Sequence, residues 1–357
     1  METAAPSTGS GQAPALQRAQ PARAYGEAMF RILRAVFFLL LLSALVTCSG
    51  KSSGQVRSLA LSPDGKVIAV DFGNESTSFI YMVAVDTGKA SRLTNAKTGQ
   101  ESVPSFSPDG KRIAYSYSPG NGAPSRIVVG SVDGSDLHTW SGSEANDSRP
   151  VFSPDNKTII FARSGYYGSY SPMARPYHHE WDFYAASLDG TNVRRLTNDH
   201  FYMVSDISVS PDGRSMVFVS SEEHGDVIEV RSLEEPTTPT LPLRPHVPRD
   251  PSIGRVFNCP NYLPDGESIL FMAASNGKLP WSGYDYDAYR LDIGSGAVER
   301  LTEGNGYATD LKISADGKIA VFLKWRSDWH GTPNKSQLYL LDLQSRKVTL
   351  LKVSGLD

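Results

Sequence analysis

Cysteine is almost absent: the 357-residue chain has two, Cys48 and Cys259. Two thiols cannot build a disulfide framework, so the fold must rest on its core. Strong charge of one sign is missing too. Lys and Arg number 35 against 38 Asp and Glu, a formal net charge of −3. Four arginines but only two glutamates precede Cys48, so the remainder is more acidic than the whole. That balance argues against nucleic acid as a partner, since phosphate binding needs a basic field. There is no phosphate-cradling glycine loop and no basic-aromatic patch. Long apolar runs are lacking as well. The stretch from Ala35 to Gly50 holds 16 uncharged residues, whereas a spanning helix needs about 20. Beyond it, no segment has a convincing helical period.

What remains is a 40% hydrophobic chain with 31 Gly and 23 Pro, enough for a core and richer in turn formers than usual. Residues 1–28 are Ala, Ser, Gly, Gln and Pro without apolar periodicity, and read as a disordered extension. Arg31 and Arg34 then precede a short apolar run ending in Leu45-Val46-Thr47-Cys48, the layout of a signal peptide. Its end resembles a bacterial lipobox, which makes Cys48 the expected lipidation site; Thr47 stands where that motif has a smaller residue. Met29 would open a normal signal. The expected organisation is extension 1–28, signal 29–48, tether 49–54 and a folded body over 55–357.

One tetrapeptide recurs through that body. It reads Ser62-Pro-Asp-Gly65, Ser107-Pro-Asp-Gly110, Ser153-Pro-Asp-Asn156, Ser210-Pro-Asp-Gly213, Leu263-Pro-Asp-Gly266 and Ser314-Ala-Asp-Gly317. Proline presets φ, aspartate binds the local backbone, and glycine or asparagine takes the left-handed position. Each copy is therefore a hairpin turn. Short strands flank it, such as Asp206–Val209 and Ser215–Phe218, and a third strand follows, such as Gln337–Leu341. A short fourth strand reads Arg92-Leu-Thr94, Arg195-Leu-Thr197 or Arg300-Leu-Thr302. Four antiparallel strands repeated about every 50 residues predict an all-β, six-bladed β-propeller.

The run Ser-Pro-Asp-Gly-Lys-x-Ile-Ala, followed by Ile-Tyr, Asp-Gly and Arg-Leu-Thr, resembles the propeller repeat of the TolB family. The resemblance covers about residues 55–353 and the propeller portion only, because the N-terminal α/β domain of that family has no counterpart here. It implies an envelope protein on the periplasmic side of a bacterial cell, membrane-anchored through Cys48 or its signal. It does not imply catalysis.

In a propeller the Pro-Asp-Gly turns share one face, and the loops between second and third strands share the other. Those loops vary, which marks where function is grafted. Long ones run over 164–181, 276–286 and 326–335, joined by the proline-rich link 234–255. They carry Tyr166, Tyr167, Tyr170, Tyr177, Trp181, Trp281, Tyr284, Tyr286 and Trp329, with His178, His179, His246 and His330. Rings with polar tips suit sugar faces or protein surfaces; alternatively they pack the loops down. Aligning the first strands on their turns puts Ser58, Val103, Arg149, Asp206, Cys259 and Asp310 in one column near the channel mouth. Arg149, Asp206 and Asp310 either meet a ligand or pair with one another, and Cys259 reads as a buried small hydrophobe.

Chemical motifs are few. Gly50-Lys-Ser-Ser-Gly54 lacks the strand–turn–helix setting of a nucleophile. His178 and His179 are neighbours on an extended strand, so they face opposite ways and do not converge on a metal. No catalytic residue, metal or cofactor is expected. The sequence reads as a monomeric binding or scaffold module that takes an envelope protein or glycan, with no nucleic acid and with membrane contact only at the N-terminus. The candidate ligand residues are Tyr177, His178, Trp181, Trp281, Tyr284, Trp329, His330, Arg149, Asp206 and Asp310. The alternative is a polysaccharide lyase or hydrolase-like enzyme with a metal on the same face, in the manner of the oligogalacturonate lyases.

Overall fold

The structure, a computed structural model, describes residues 54–356 except 75, 121–122, 141–143, 170–175, 223–224, 236–237, 239–240, 248–255, 280–282, 305 and 327–334. Cys48, the signal, Tyr170, Trp281, Trp329 and His330 lie outside the described residues, as does the side chain of Tyr284.

The described residues contain strands and no α-helix. The first unit comprises β1 (Gln55–Leu61), β2 (Val67–Gly73), β3 (Ser78–Ala84) and β4 (Ala90–Arg92); the second β5 (Gln100–Phe106), β6 (Arg112–Ser118), β7 (Arg126–Ser131) and β8 (His138–Thr139). The third holds β9 (Asn146–Phe152), β10 (Thr158–Gly168), β11 (Tyr177–Ser187) and β12 (Arg194–Arg195); the fourth β13 (Val204–Val209), β14 (Ser215–Glu222), β15 (Gly225–Ser232) and β16 (Leu241–Leu243). Then come β17 (Phe257–Tyr262), β18 (Ser268–Leu279), β19 (Gly283–Asp292) and β20 (Val298–Arg300), and finally β21 (Tyr307–Ile313), β22 (Ile319–Arg326), β23 (Lys335–Asp342) and β24 (Val348–Leu351). Each unit is an antiparallel meander, and a single parallel pair, Ser78 with Gln100, links the first two.

The repeated turn forms for the reason its residues suggest. In the first unit Gly65 N–H donates to Ser62 O at 2.9 Å, and Ser62 Oγ donates to Asp64 Oδ1 at 2.7 Å. Asp64 Oδ1 also accepts the N–H of Lys66, and Ser62 Oγ accepts that of Val67. Gly65 sits at φ +71°, where a side chain is strained; Asn156 takes the same conformation at +60°. The turns also touch one another. The proline of one packs against the glycine of the next, as in Pro63 with Gly110 and Pro211 with Gly266.

Between units lies the core. Six apolar clusters each join two neighbouring units. The cluster of Val56, Leu59, Ile68, Val70 and Tyr81 with Val321, Leu323 and Leu338 joins the first unit to the last. No unit could bury both its faces alone, so the stack must come round on itself. Fully buried rings such as Phe161, Phe183, Phe271 and Phe322 each contribute about 1.5–3 kcal/mol by burial. The round is also sealed at its edge. Ala90 N–H donates to Ser354 O at 2.8 Å and Ser354 N–H to Gly88 O at 3.0 Å, so the segment after β24 lies along β4.

Candidate functional site

The innermost strand of every unit carries a β-bulge at the same place. Pairing shifts between Val56 and Leu59, Ser102 and Ser105, Ser205 and Ser208, Asn258 and Asn261, and Thr309 and Lys312, and opposite Arg149 in the third unit. Val103, Arg149, Asp206, Cys259 and Asp310 occupy those bulges at φ between 51° and 59°. A left-handed conformation costs a non-glycine residue about 1–2 kcal/mol, and a bulge re-aims a side chain out of the pleat. The sequence column thus lines a central cavity of about 600 Å³.

Hydrogen bonds run round this column from unit to unit. Val103 N–H donates to Ser58 Oγ at 2.8 Å, Arg149 N–H to Ser116 Oγ at 3.1 Å, and Cys259 N–H to Asp206 Oδ2 at 3.2 Å. Ser58 itself does not adopt the left-handed conformation. Its N–H and that of Arg57 donate to Asp71 Oδ1, at 2.5 and 2.9 Å. Asp71, which sequence reasoning missed, is buried; its signal was a lone acid inside the apolar strand β2. Lys312 was missed too and lines the same cavity.

The cavity is a place of crowded carboxylates. Burial pushes Asp310 up to about 7, and the neighbouring Asp206 carboxylate adds to the shift. Burial likewise raises Asp71 to about 6, against the pull of two backbone donors. Cys259 is 2% exposed. Burial and the two aspartates push its thiol well above the ordinary range, so it is a packing residue and no nucleophile. Arg149 forms no ion pair with Asp206 or Asp310 among the described residues, and all three face the cavity.

At the end of the third unit away from its repeated turn stands the β10–β11 hairpin. Its 11-residue strands outreach the corresponding strands of the first two units. Alternation divides its rings. Tyr166, Tyr177 and His179 lie together, with centroids 4.4 Å (Tyr166–His179) and 5.4 Å (Tyr177–His179) apart. Tyr167, His178 and Trp181 lie together on the other side, Tyr167 and His178 at 4.8 Å. Tyr177 and Tyr202 join through their hydroxyls. Trp181 is anchored. Its indole N–H donates to His178 O at 3.0 Å, its backbone bridges Phe201, and its ring packs on the core between the third and fourth units. Tyr286, counted with the rim from sequence, belongs to the core instead, 4% exposed. The strands β18 and β19 continue further than the loop spacing indicated, and their alternation turns Tyr286 inward.

Exposure therefore shifts the rim. Among the described residues, Tyr166, Tyr167, Tyr202 and Met203 are exposed around the β10–β11 hairpin and the start of β13, and Tyr307 is exposed at the start of β21. Tyr202 and Met203 were missed because they precede β13 instead of lying in a long loop. Their signal was an adjacent apolar pair just upstream of a first strand. No group of three or more His, Cys, Asp or Glu that could hold a metal ion gathers among the described residues. His178 and His179 face opposite ways, as their adjacency requires.

Bulged inner strands around an axial cavity, with short turns at one end and aromatic loops at the other, define a β-propeller. Residues 34–169 match the TolB beta propeller domain family. A TolB protein of the Tol-Pal system from Francisella tularensis is 40% identical over 68 residues, 19% of this chain and 15% of that one. The dipeptidyl-peptidase 5 of Porphyromonas gingivalis is 26% identical over 303 residues, 83% of this chain and 41% of that one. The match thus spans less than half the length of either relative. Among solved structures, one assigned as TolB from Agrobacterium tumefaciens superposes with a TM-score of 0.57 at 18% identity, over 78% of this chain and 90% of that one. This likeness is one of fold.

Proposed function

We propose that this chain is an exported, six-bladed propeller of the cell envelope that works as a binding or scaffold module. Each meander is one blade. Residues 1–28 are an extension, 29–48 a signal ending in the lipid-bearing Cys48, and 49–54 a tether that holds the propeller on the periplasmic side. The ligand surface is the face opposite the repeated turns, and its occupant is another envelope protein. The TolB-type repeats support this reading. The observation that carries it is the set of exposed rings on and beside the β10–β11 hairpin: Tyr166 and Tyr167 on its two sides, and Tyr202 joined to Tyr177 through their hydroxyls. Exposed aromatic anchors are what a protein interface uses.

The test is capture from envelope extracts by the full chain and by a Tyr166→Ala/Tyr202→Ala double variant. The wild type should retain a defined protein partner that the folded double variant loses. Equal capture by both would remove this face from the reading, and capture of glycan alone would replace the partner class.

A further inference from the structure

The third and sixth units place a cation at the same register, and only one of them supplies its counter-ion. In the third unit Arg163 stands opposite Asp147 on the neighbouring strand. It donates to both carboxylate oxygens, at 2.6 and 2.8 Å, and lies over the Tyr184 ring. In the sixth unit Lys324 takes the place of Arg163, with its ammonium 4.7 Å from the centre of the Tyr339 ring. The residue opposite Lys324 is Ala308, which has no charge to offer.

Lys324 opens into a cavity of about 540 Å³ between the fifth and sixth units, with Arg300 and Arg346 on its walls. The nearby acids are already engaged. Asp287 accepts from Arg300 at 2.6 Å and from Ser275 Oγ at 2.5 Å, and Glu299 pairs with Arg346. Glu303 also lines the cavity, but it is exposed and reaches Arg300 at 3.4 Å. Asp287 and Asp285 both act on Lys324 through space, without forming an ion pair with it. No carboxylate among the described residues stands within ion-pair range of Lys324. Partial burial lowers its pKa, against the opposing pull of Asp287 and Asp285.

We propose that this cavity is an anion site, in which Lys324, with Arg300 and Arg346 beside it, receives one carboxylate or phosphate group from outside the chain. The group would do for Lys324 what Asp147 does for Arg163, from the cavity side. Charge-assisted hydrogen bonds of this kind are the stronger ones.

Calorimetric titration of the full chain in a zwitterionic buffer, with inorganic phosphate in one arm and acetate in the other, tests the site and separates the two sources. Binding in either arm should weaken about tenfold or more in Lys324→Met. It should also weaken in Ala308→Asp, which rebuilds the internal pair of the third unit. Failure of the wild type to bind either anion would overturn the proposal, as would binding that persists in Lys324→Met. Should Ala308→Asp fail to fold, Lys324→Met still decides.

Discussion

At position 315 the repeated turn departs from its own rule. Its sisters carry Pro63, Pro108, Pro154, Pro211 and Pro264, and consensus would place proline here too. The structure shows why alanine stands instead. Ala315 N–H donates to Pro63 O at 2.9 Å, joining the last turn to the first. Proline has no N–H, so Ala315→Pro should lower stability by about 1 kcal/mol, although Pro stabilises many turns at this position. Urea unfolding of the variant checks it; a gain in midpoint would contradict this role. The turn was legible because its chemistry is local: four residues satisfy one another without help. Ala315 was legible only as an exception, since its partner is contributed by a turn at the far end of the body.

The short fourth strands show how an element can be held by side chains. β12 has two residues, too few to hold itself by ladder bonds. Thr197 Oγ1 donates to Asp182 Oδ1 at 2.7 Å and accepts the N–H of Phe183 at 2.9 Å, and Arg195 donates to Asp182 Oδ2 at 2.5 Å. Asp287, Thr302 and Arg300 repeat the arrangement. In the first unit Glu101 of the next unit serves Thr94 and Ile80, because Phe79 stands where the acid would be. Asp182→Ala leaves Thr197, Arg195 and the N–H of Asp199 without their acceptor. It should cost about 3 kcal/mol, read as a lower urea midpoint with the blade fold retained by circular dichroism. The recurrent Arg-Leu-Thr was plain in the sequence. The bulges were not, since Val103, Arg149 and Cys259 carry no composition signal for a left-handed backbone, and only pairing across strands imposes it. Of the rim, the β10–β11 rings were legible as rings, but which of them face solvent depends on where the hairpin strands stop, and Tyr202 and Met203 gave no loop signal.

The whole molecule balances two sets of acids with opposite pH behaviour. Asp71 and Asp310 titrate at about 6 and about 7 in the fold, against about 3.9 in an unfolded chain. Between those values the folded state binds more protons, so their contribution is greatest at low pH and is lost as pH rises toward 7. The turn aspartates run the other way. Serine and backbone donors hold Asp64, Asp109, Asp155 and Asp212 below their ordinary value, and Asp316 at about 2. Their contribution is present above the ordinary carboxylate range and fades as pH falls through the folded values. Thermal unfolding should therefore show greatest stability in mild acid. Asp310→Asn should raise Tm at pH 8 by a few degrees and change it little at pH 5; equal shifts at both would rule out this assignment. The seal formed by residues 352–356 along β4 has a consequence for biogenesis. The first blade cannot complete its edge until the final strand has been made, so the ring stays open throughout synthesis. Such a chain folds last by its most distant contact, so closure of the round is a late event however early the individual meanders form.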